Sequence, residues 1–190
     1  FNFPYSTTMC TDVSTVTGRD IRKSAGIGNA AIHAVVGGAP CQGFSLIGKR
    51  ALDDPRNRLV GEFARIVLEL KPRYFVLENV AGLTVGDHRH LLDEVIELFA
   101  HNDYRVLTPY RVLQAAEFAV PQSRRRLFLI GARDGVPMPS YPAPLTAAGS
   151  MKGKPDRNTQ LPLSPTVWDA IGDLPDADRY EALIDSDAAL

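Results

Sequence analysis

Ala34-Val35-Val36-Gly37-Gly38-Ala39-Pro40-Cys41-Gln42 is an apolar run that breaks into two glycines and then a proline–cysteine pair. A short apolar run bounded by glycine is the pattern of a buried strand. In α/β folds the crevice outside a strand's carboxyl end is where the chemistry is held. Gly37 and Gly38 permit a tight turn there, and Pro40 fixes the backbone just ahead of the Cys41 thiol. A lone thiol after a strand is more often inert and buried, so its neighbours decide. Further along, Glu78 ends a second apolar run and Arg124-Arg125-Arg126 opens a third. A thiol, a carboxyl group and guanidinium groups at strand edges point to nucleophilic catalysis on a polar, planar substrate.

Working outward, strand and helix patterns alternate, which predicts a mostly parallel α/β sheet with an antiparallel pair at its edge. Thr8 to Val13 is expected to be a strand that buries Cys10, and Gly18 to Ala25 a short helix. Leu59, Phe63, Ile66, Val67 and Leu70 recur at helical spacing from about Arg56 and stop before Pro72. Tyr74 to Leu77 reads as a strand buried on both faces. Leu91, Leu92, Val95, Ile96 and Phe99 define a further amphipathic helix, and Tyr104 to Leu113 and Leu127 to Ile130 two more strands. Beyond Ala132 prolines punctuate a Ser-, Thr- and Gly-rich stretch, with a short helix expected around Trp168. This divides the chain into residues 1–133, a catalytic domain, and 134–190, a connector.

With 190 residues, 45% of them hydrophobic, the chain can bury one sizeable core. Its net charge of −1 gives no global attraction to a polyanion. The charge is uneven, however: Tyr104 to Arg133 holds six arginines and one glutamate, whereas Asp169 to the end holds seven acids and one arginine. A basic edge of that kind suits DNA, and the acidic end reads equally as a solvated tail. Cys10 and Cys41 make no disulfide framework, and the four histidines have no zinc spacing. No apolar run is long enough to span a bilayer, and there is no signal peptide. A reduced, cytoplasmic, soluble domain without membrane or metal is expected.

The string Gly37-Gly38-Ala39-Pro40-Cys41-Gln42-Gly43-Phe44-Ser45 resembles the catalytic motif of the DNA cytosine carbon-5 methyltransferases, with Ala39 where proline is usual. Phe75-Val76-Leu77-Glu78-Asn79-Val80 resembles the family's strand ending in Glu-Asn-Val. Phe118-Ala119-Val120-Pro121-Gln122-Ser123-Arg124-Arg125-Arg126 resembles its Gln-x-Arg-x-Arg segment, with Ala119 where glycine is usual. The resemblance implies a Rossmann-like, S-adenosylmethionine-dependent methyltransferase fold that transfers a methyl group to carbon-5 of cytosine in DNA.

Cytosine carbon-5 is a poor nucleophile, so a thiolate must first add to carbon-6 and make carbon-5 electron-rich. Cys41 is the thiol for this step. Glu78 would bond to ring nitrogen 3, provided burial raises its pKa enough to hold or share a proton. Its alternative is a cap or ion-pair role. By resemblance Arg126 meets the cytosine carbonyl oxygen, Arg124 holds phosphate or the catalytic loop, Gln122 orients the pocket, and Asn79 shapes the turn. Strand alternation would point Arg124 and Arg126 one way and leave Arg125 solvated. The base must be flipped out of double-stranded DNA, with Gly43 to Asp54 as a lid and Ser45, Lys49 and Arg50 at phosphates.

For the methyl donor, S-adenosylmethionine, the resemblance matches Asp12 to the position that holds the adenine amino group, with Pro40 and Leu59 as further contacts, while Asp12 reads equally as a turn or cap residue. The family's Phe-x-Gly-x-Gly loop is not in the chain. Phe1-Asn2-Phe3-Pro4 resembles the family segment just beyond that loop, and Thr166 to Pro175 resembles the lead-in to the target-recognition region. A central catalytic core, truncated at its N-terminus and inactive alone, is therefore expected. The resemblance further implies a restriction-modification setting with a cognate restriction endonuclease. Two alternatives are an RNA (tRNA) cytosine methyltransferase and a non-catalytic DNA-binding remnant; Gly43-Phe44-Ser45, rather than Pro-Phe-Thr, favours DNA.

Overall fold

A computed structural model describes residues 4–40, 57–86, 89–148 and 160–175. These divide into two compact units, one of residues 1–113 and 125–142, the other of 114–124 and 143–190. Among the described residues no helix is long and apolar enough to cross a membrane.

The first unit is built around a mixed sheet. Strands β1 (Ala34–Gly37), β2 (Tyr74–Val80), β3 (Tyr104–Val106), β4 (Arg111–Gln114) and β5 (Arg125–Arg133) form it, with helix α1 (Gly18–Ser24) before β1, α2 (Arg58–Leu70) between β1 and β2, and α3 (Arg89–Ala100) between β2 and β3. β1 runs parallel to β2, and β5 lies antiparallel to both β2 and β3, giving the order β1-β2-β5-β3, with β4 also paired to β5. The fold is α/β, parallel where the β1–α2–β2 crossover begins the sheet and antiparallel beyond it.

One face of this sheet carries the core. Phe75 and Leu77 of β2, Leu127 and Leu129 of β5, Val60, Ala64 and Val67 of α2, and Leu92, Val95 and Phe99 of α3 are all buried in one cluster. Phe75 sits at its centre, stacked on Phe99 with ring centroids 4.0 Å apart and edge-on to Phe63. Across the sheet Gly131 opposes Phe75 in register, and a Cβ at Gly131 would collide with the Phe75 ring. α2 ends where Lys71 turns left-handed (φ 50°, ψ 53°) immediately before Pro72, whose ring cannot continue a helix.

Several local expectations are corrected. Thr8 to Val13 forms no strand: Asp12 caps a 3-10 turn over Val13–Thr15 by accepting the backbone N–H of Ser14 at 2.9 Å, a bond that competes with strand pairing. Cys10 is accordingly exposed, not buried. β2 is buried on one face and half-buried on the other, because α2 and α3 cover the face of Phe75 and Leu77. β1 is likewise only half covered, with Val36 70% exposed. Tyr104 to Leu113 is two strands, interrupted around Pro109, which has no N–H for the ladder. β5 begins at Arg125, so the alternation argued for the arginines applies to Arg125 and Arg126 alone.

The second unit holds Ala115–Phe118 as a 3-10 turn and α4 (Val167–Ile171), whose N-terminus is closed by a capping box between Thr166 and Asp169. Thr146 knits it together: its hydroxyl donates to the Ala116 carbonyl and accepts from the Ala119 N–H.

Candidate active site

The carboxyl ends of β1 and β2 and the start of β5 converge on one corner of the first unit. Glu78 pairs in register with Phe128, and Val80 with Arg126, so Glu78 and Arg126 are diagonal neighbours on one face. Their side chains meet, Arg126 Nε lying 2.9 Å from Glu78 Oε1, and both are about one-third exposed (26% and 30%). Arg126 also donates to the Arg125 carbonyl at 2.9 Å, which fixes the guanidinium from its own backbone. The other carboxylate oxygen faces Gly38: a Cβ there would stand 3.2 Å from Glu78 Oε2.

Asn79, one residue on, points to the opposite face and is buried. Its Nδ2 donates to the Ala39 carbonyl at 2.9 Å and its Oδ1 accepts the Val80 N–H at 2.8 Å. A buried amide thereby ties the end of β2 to the backbone two residues before Cys41. Gly37 is held from the helical side, since a Cβ there would lie 2.6 Å from the Phe63 ring of α2. Glycine permits this approach of helix to strand, and the approach sets where the turn leaves the sheet.

Cys41, Ser45, Lys49 and Arg50 lie outside the described residues. Pro40 is exposed at the end of the described turn. Burial does not set Cys10 aside as a nucleophile, because Cys10 is exposed; the turn that Asn79 and Gly38 hold is described as far as Pro40. Gln122 and Arg124 belong to the second unit, where Arg124 offers its carbonyl to the Ala115 N–H at 2.9 Å and the Gln122 N–H donates to Val120. Arg124 is joined directly through the chain to β5.

Asp12 stands at a second corner. Its Oδ1 accepts both the N–H and the hydroxyl of Ser14, at 2.9 and 2.8 Å. Those bonds, backbone first and then side chain, hold its carboxyl below the ordinary carboxylate range against the opposing effect of burial, with a smaller contribution from the charge of Arg58. Arg58 and Leu59 are the first two residues of α2, and Leu59 is exposed. An exposed carboxylate acceptor suits the amino group of an adenosyl group, which donates.

The contact that sequence reading did not single out is Arg65. Its Nε donates to Glu62 at 2.7 Å and one terminal nitrogen to Glu69 at 2.6 Å, while the other donates to the carbonyls of Val13 and Val16 at 3.0 and 2.8 Å. The i, i+3 and i, i+4 spacing of Glu62, Arg65 and Glu69 was legible as a helix-face pair. Its reach to the turn after Asp12 was not.

The family model of the C-5 cytosine-specific DNA methylases matches residues 1–186. The chain belongs to this family. It is 54% identical over 187 residues to the Type II methyltransferase M.XorII of Xanthomonas oryzae pv. oryzae, covering 98% of the chain and 40% of that relative. It is 37% identical to the Type II methyltransferase M.AquIA of Picosynechococcus sp., across 96% of the chain and 76% of the relative. The chain therefore spans well under half the length of M.XorII. Among solved structures it superposes, at a TM-score of 0.64 and 28% identity, on a prophage-encoded E. coli protein described as a DNA modification methyltransferase, covering 87% of this chain and 41% of that one. A Spodoptera frugiperda DNMT2 structure, at a TM-score of 0.52 and 24% identity over 73% of this chain and 39% of that one, shares the fold.

Proposed function

We propose that the chain is the catalytic core of a methyltransferase that acts on carbon-5 of cytosine in DNA through a covalent Cys41 adduct. The Glu78–Arg126 pair carries this reading, because it sets a carboxyl group and a guanidinium side by side at the turn that delivers the thiol. Cytosine presents nitrogen 3 and a carbonyl oxygen on one edge, spaced for such a pair.

Addition of the Cys41 thiolate to carbon-6 pushes ring electrons towards that edge. Glu78 shares a proton with nitrogen 3, and Arg126 meets the charge growing on the carbonyl oxygen. S-adenosylmethionine, when bound, supplies the electrophilic methyl group that an electron-rich carbon-5 accepts. Loss of the carbon-5 proton then expels the thiolate and restores the ring. Asn79 positions the turn through Ala39, Arg124 holds phosphate or the catalytic loop, and Gln122 orients the pocket. The target cytosine reaches the site only when flipped from the duplex. Ser45, Lys49 and Arg50 contact phosphates around it, while Asp12, Pro40 and Leu59 receive the donor.

The Type II naming of its relatives supports a modification role opposite a cognate restriction endonuclease, in the cytoplasm on nucleoid DNA. Residues 134–190 would then lead from the catalytic domain of residues 1–133 towards base-reading structure.

The test is covalent trapping on 5-fluorocytosine DNA with S-adenosylmethionine, using the whole protein. Fluorine at carbon-5 blocks the final proton loss, so a gel-stable protein–DNA adduct is expected. Cys41→Ser should abolish it and Cys10→Ser should leave it intact. An adduct that survives Cys41→Ser, or none on a mixed-sequence DNA pool, overturns the reading.

A further inference from the structure

We infer that Arg65 is the positioning residue of the donor site: its guanidinium holds the Asp12 turn against α2 and so fixes where the Asp12 carboxylate stands. The inference rests on the proposed role of Asp12.

The turn over Val13–Thr15 is three residues long and buries none of them. A 3-10 turn of that length does not hold itself in place. Within it, the backbone N–H and hydroxyl of Thr15 both bond to the Asp12 carbonyl, at 3.0 and 2.8 Å, so Asp12 moves with the turn. Besides the buried Val16, a tie to the rest of the unit comes from Arg65, which bonds the carbonyl of Val13 at the start of the turn and of Val16 just after it from a single terminal nitrogen. Glu69 extends the clamp: it takes one Arg65 nitrogen and accepts the Gly18 N–H, at 2.6 Å each, anchoring the first residue of α1. Both partners respond. Hydrogen bonds to Glu69 and Glu62 push the Arg65 guanidinium up against the effect of burial, and the Gly18 N–H followed by Arg65 holds the Glu69 carboxyl below its ordinary value.

A planar fork is needed for this task. A lysine offers one compact ammonium and cannot serve two carboxylates and two carbonyls in these directions. Because α2 packs Phe63 against Gly37 as well, the same helix carries both the Asp12 turn and the turn before Cys41.

The experiment compares Arg65→Lys, Arg65→Ala and Asp12→Asn in the whole protein. It reads the dissociation constant of S-adenosylmethionine by calorimetry, amide hydrogen exchange over residues 13–17, and KM for DNA and kcat at saturating donor. Arg65→Lys should weaken donor binding about tenfold, the loss of roughly one charge-assisted bond network. It should speed exchange in the turn and leave KM for DNA and kcat within about twofold. Arg65→Ala should weaken the donor further. If Asp12→Asn weakens the donor and Arg65→Lys does not, the positioning role is overturned. If every parameter of Arg65→Lys falls together with its melting temperature, the residue is merely structural and the inference also fails. If Asp12→Asn leaves donor binding unchanged, the donor-site reading itself falls.

Discussion

Asn79 is the residue on which the geometry of the thiol turn depends most directly. It is buried and serves one backbone carbonyl and one backbone N–H. Asn79→Ala leaves both without their partner, a cost of about 1–3 kcal/mol for each orphaned group. The expected kinetic result is a fall in kcat with KM for DNA nearly unchanged, since the turn and not the duplex contacts is disturbed; steady-state assays on both substrates check it. Arg126→Lys removes the Nε contact to Glu78 and replaces a planar donor with a point charge. We expect adduct formation on 5-fluorocytosine DNA to slow by about tenfold or more, as for loss of one preorganised donor, and rapid-quench trapping would measure it. The strand end at Glu78 and Asn79 was legible as an apolar run that stops on two polar residues, and the two face opposite sides of the sheet. Arg65 was not, since its two carbonyl partners lie 52 and 49 residues away and carbonyls leave no mark on a sequence.

Elements were read well where a periodic apolar face met a defined stop, as in α2 and α3. They were misread where a local polar bond won, as in the segment before Asp12. Close contacts such as Gly37 of β1 against Phe63 of α2, and Gly131 of β5 against Phe75 of β2, depend on tertiary packing and carry no periodic signal. Gly131→Ala should destabilise the protein by about 1–3 kcal/mol through overpacking of the central ring, read as a lower midpoint in urea. α1 and α4 each begin with a capping box, Thr17 with Asp20 and Thr166 with Asp169. The threonine hydrogen bonds hold both aspartates below their ordinary value, side chain first for Asp20 and backbone first for Asp169. The depressed folded value means that this stabilisation is complete above about pH 4 and lost as pH falls through the folded pKa. Helix signal in circular dichroism should therefore fray below about pH 4 and not between pH 5 and 8, and Asp20→Asn together with Asp169→Asn should remove that dependence.

At the scale of the whole molecule, the three ordered motifs were enough to assign the family, whereas the sheet order was not, because β5 enters between β2 and β3 instead of following the chain. The corner they build has an electrical consequence. Glu78 and Arg126 neutralise one another before any base arrives, and cytosine is itself uncharged. Cytosine brings no formal charge of its own into the pocket, while the duplex outside it brings its full ladder of phosphates. Ionic strength should act on the two separately: raising salt releases the duplex and lifts KM for DNA steeply, while turnover on bound DNA stays nearly level. Methylation by this core would then fade in salt as an anchor slips, with the chemistry beneath it still running at its own rate.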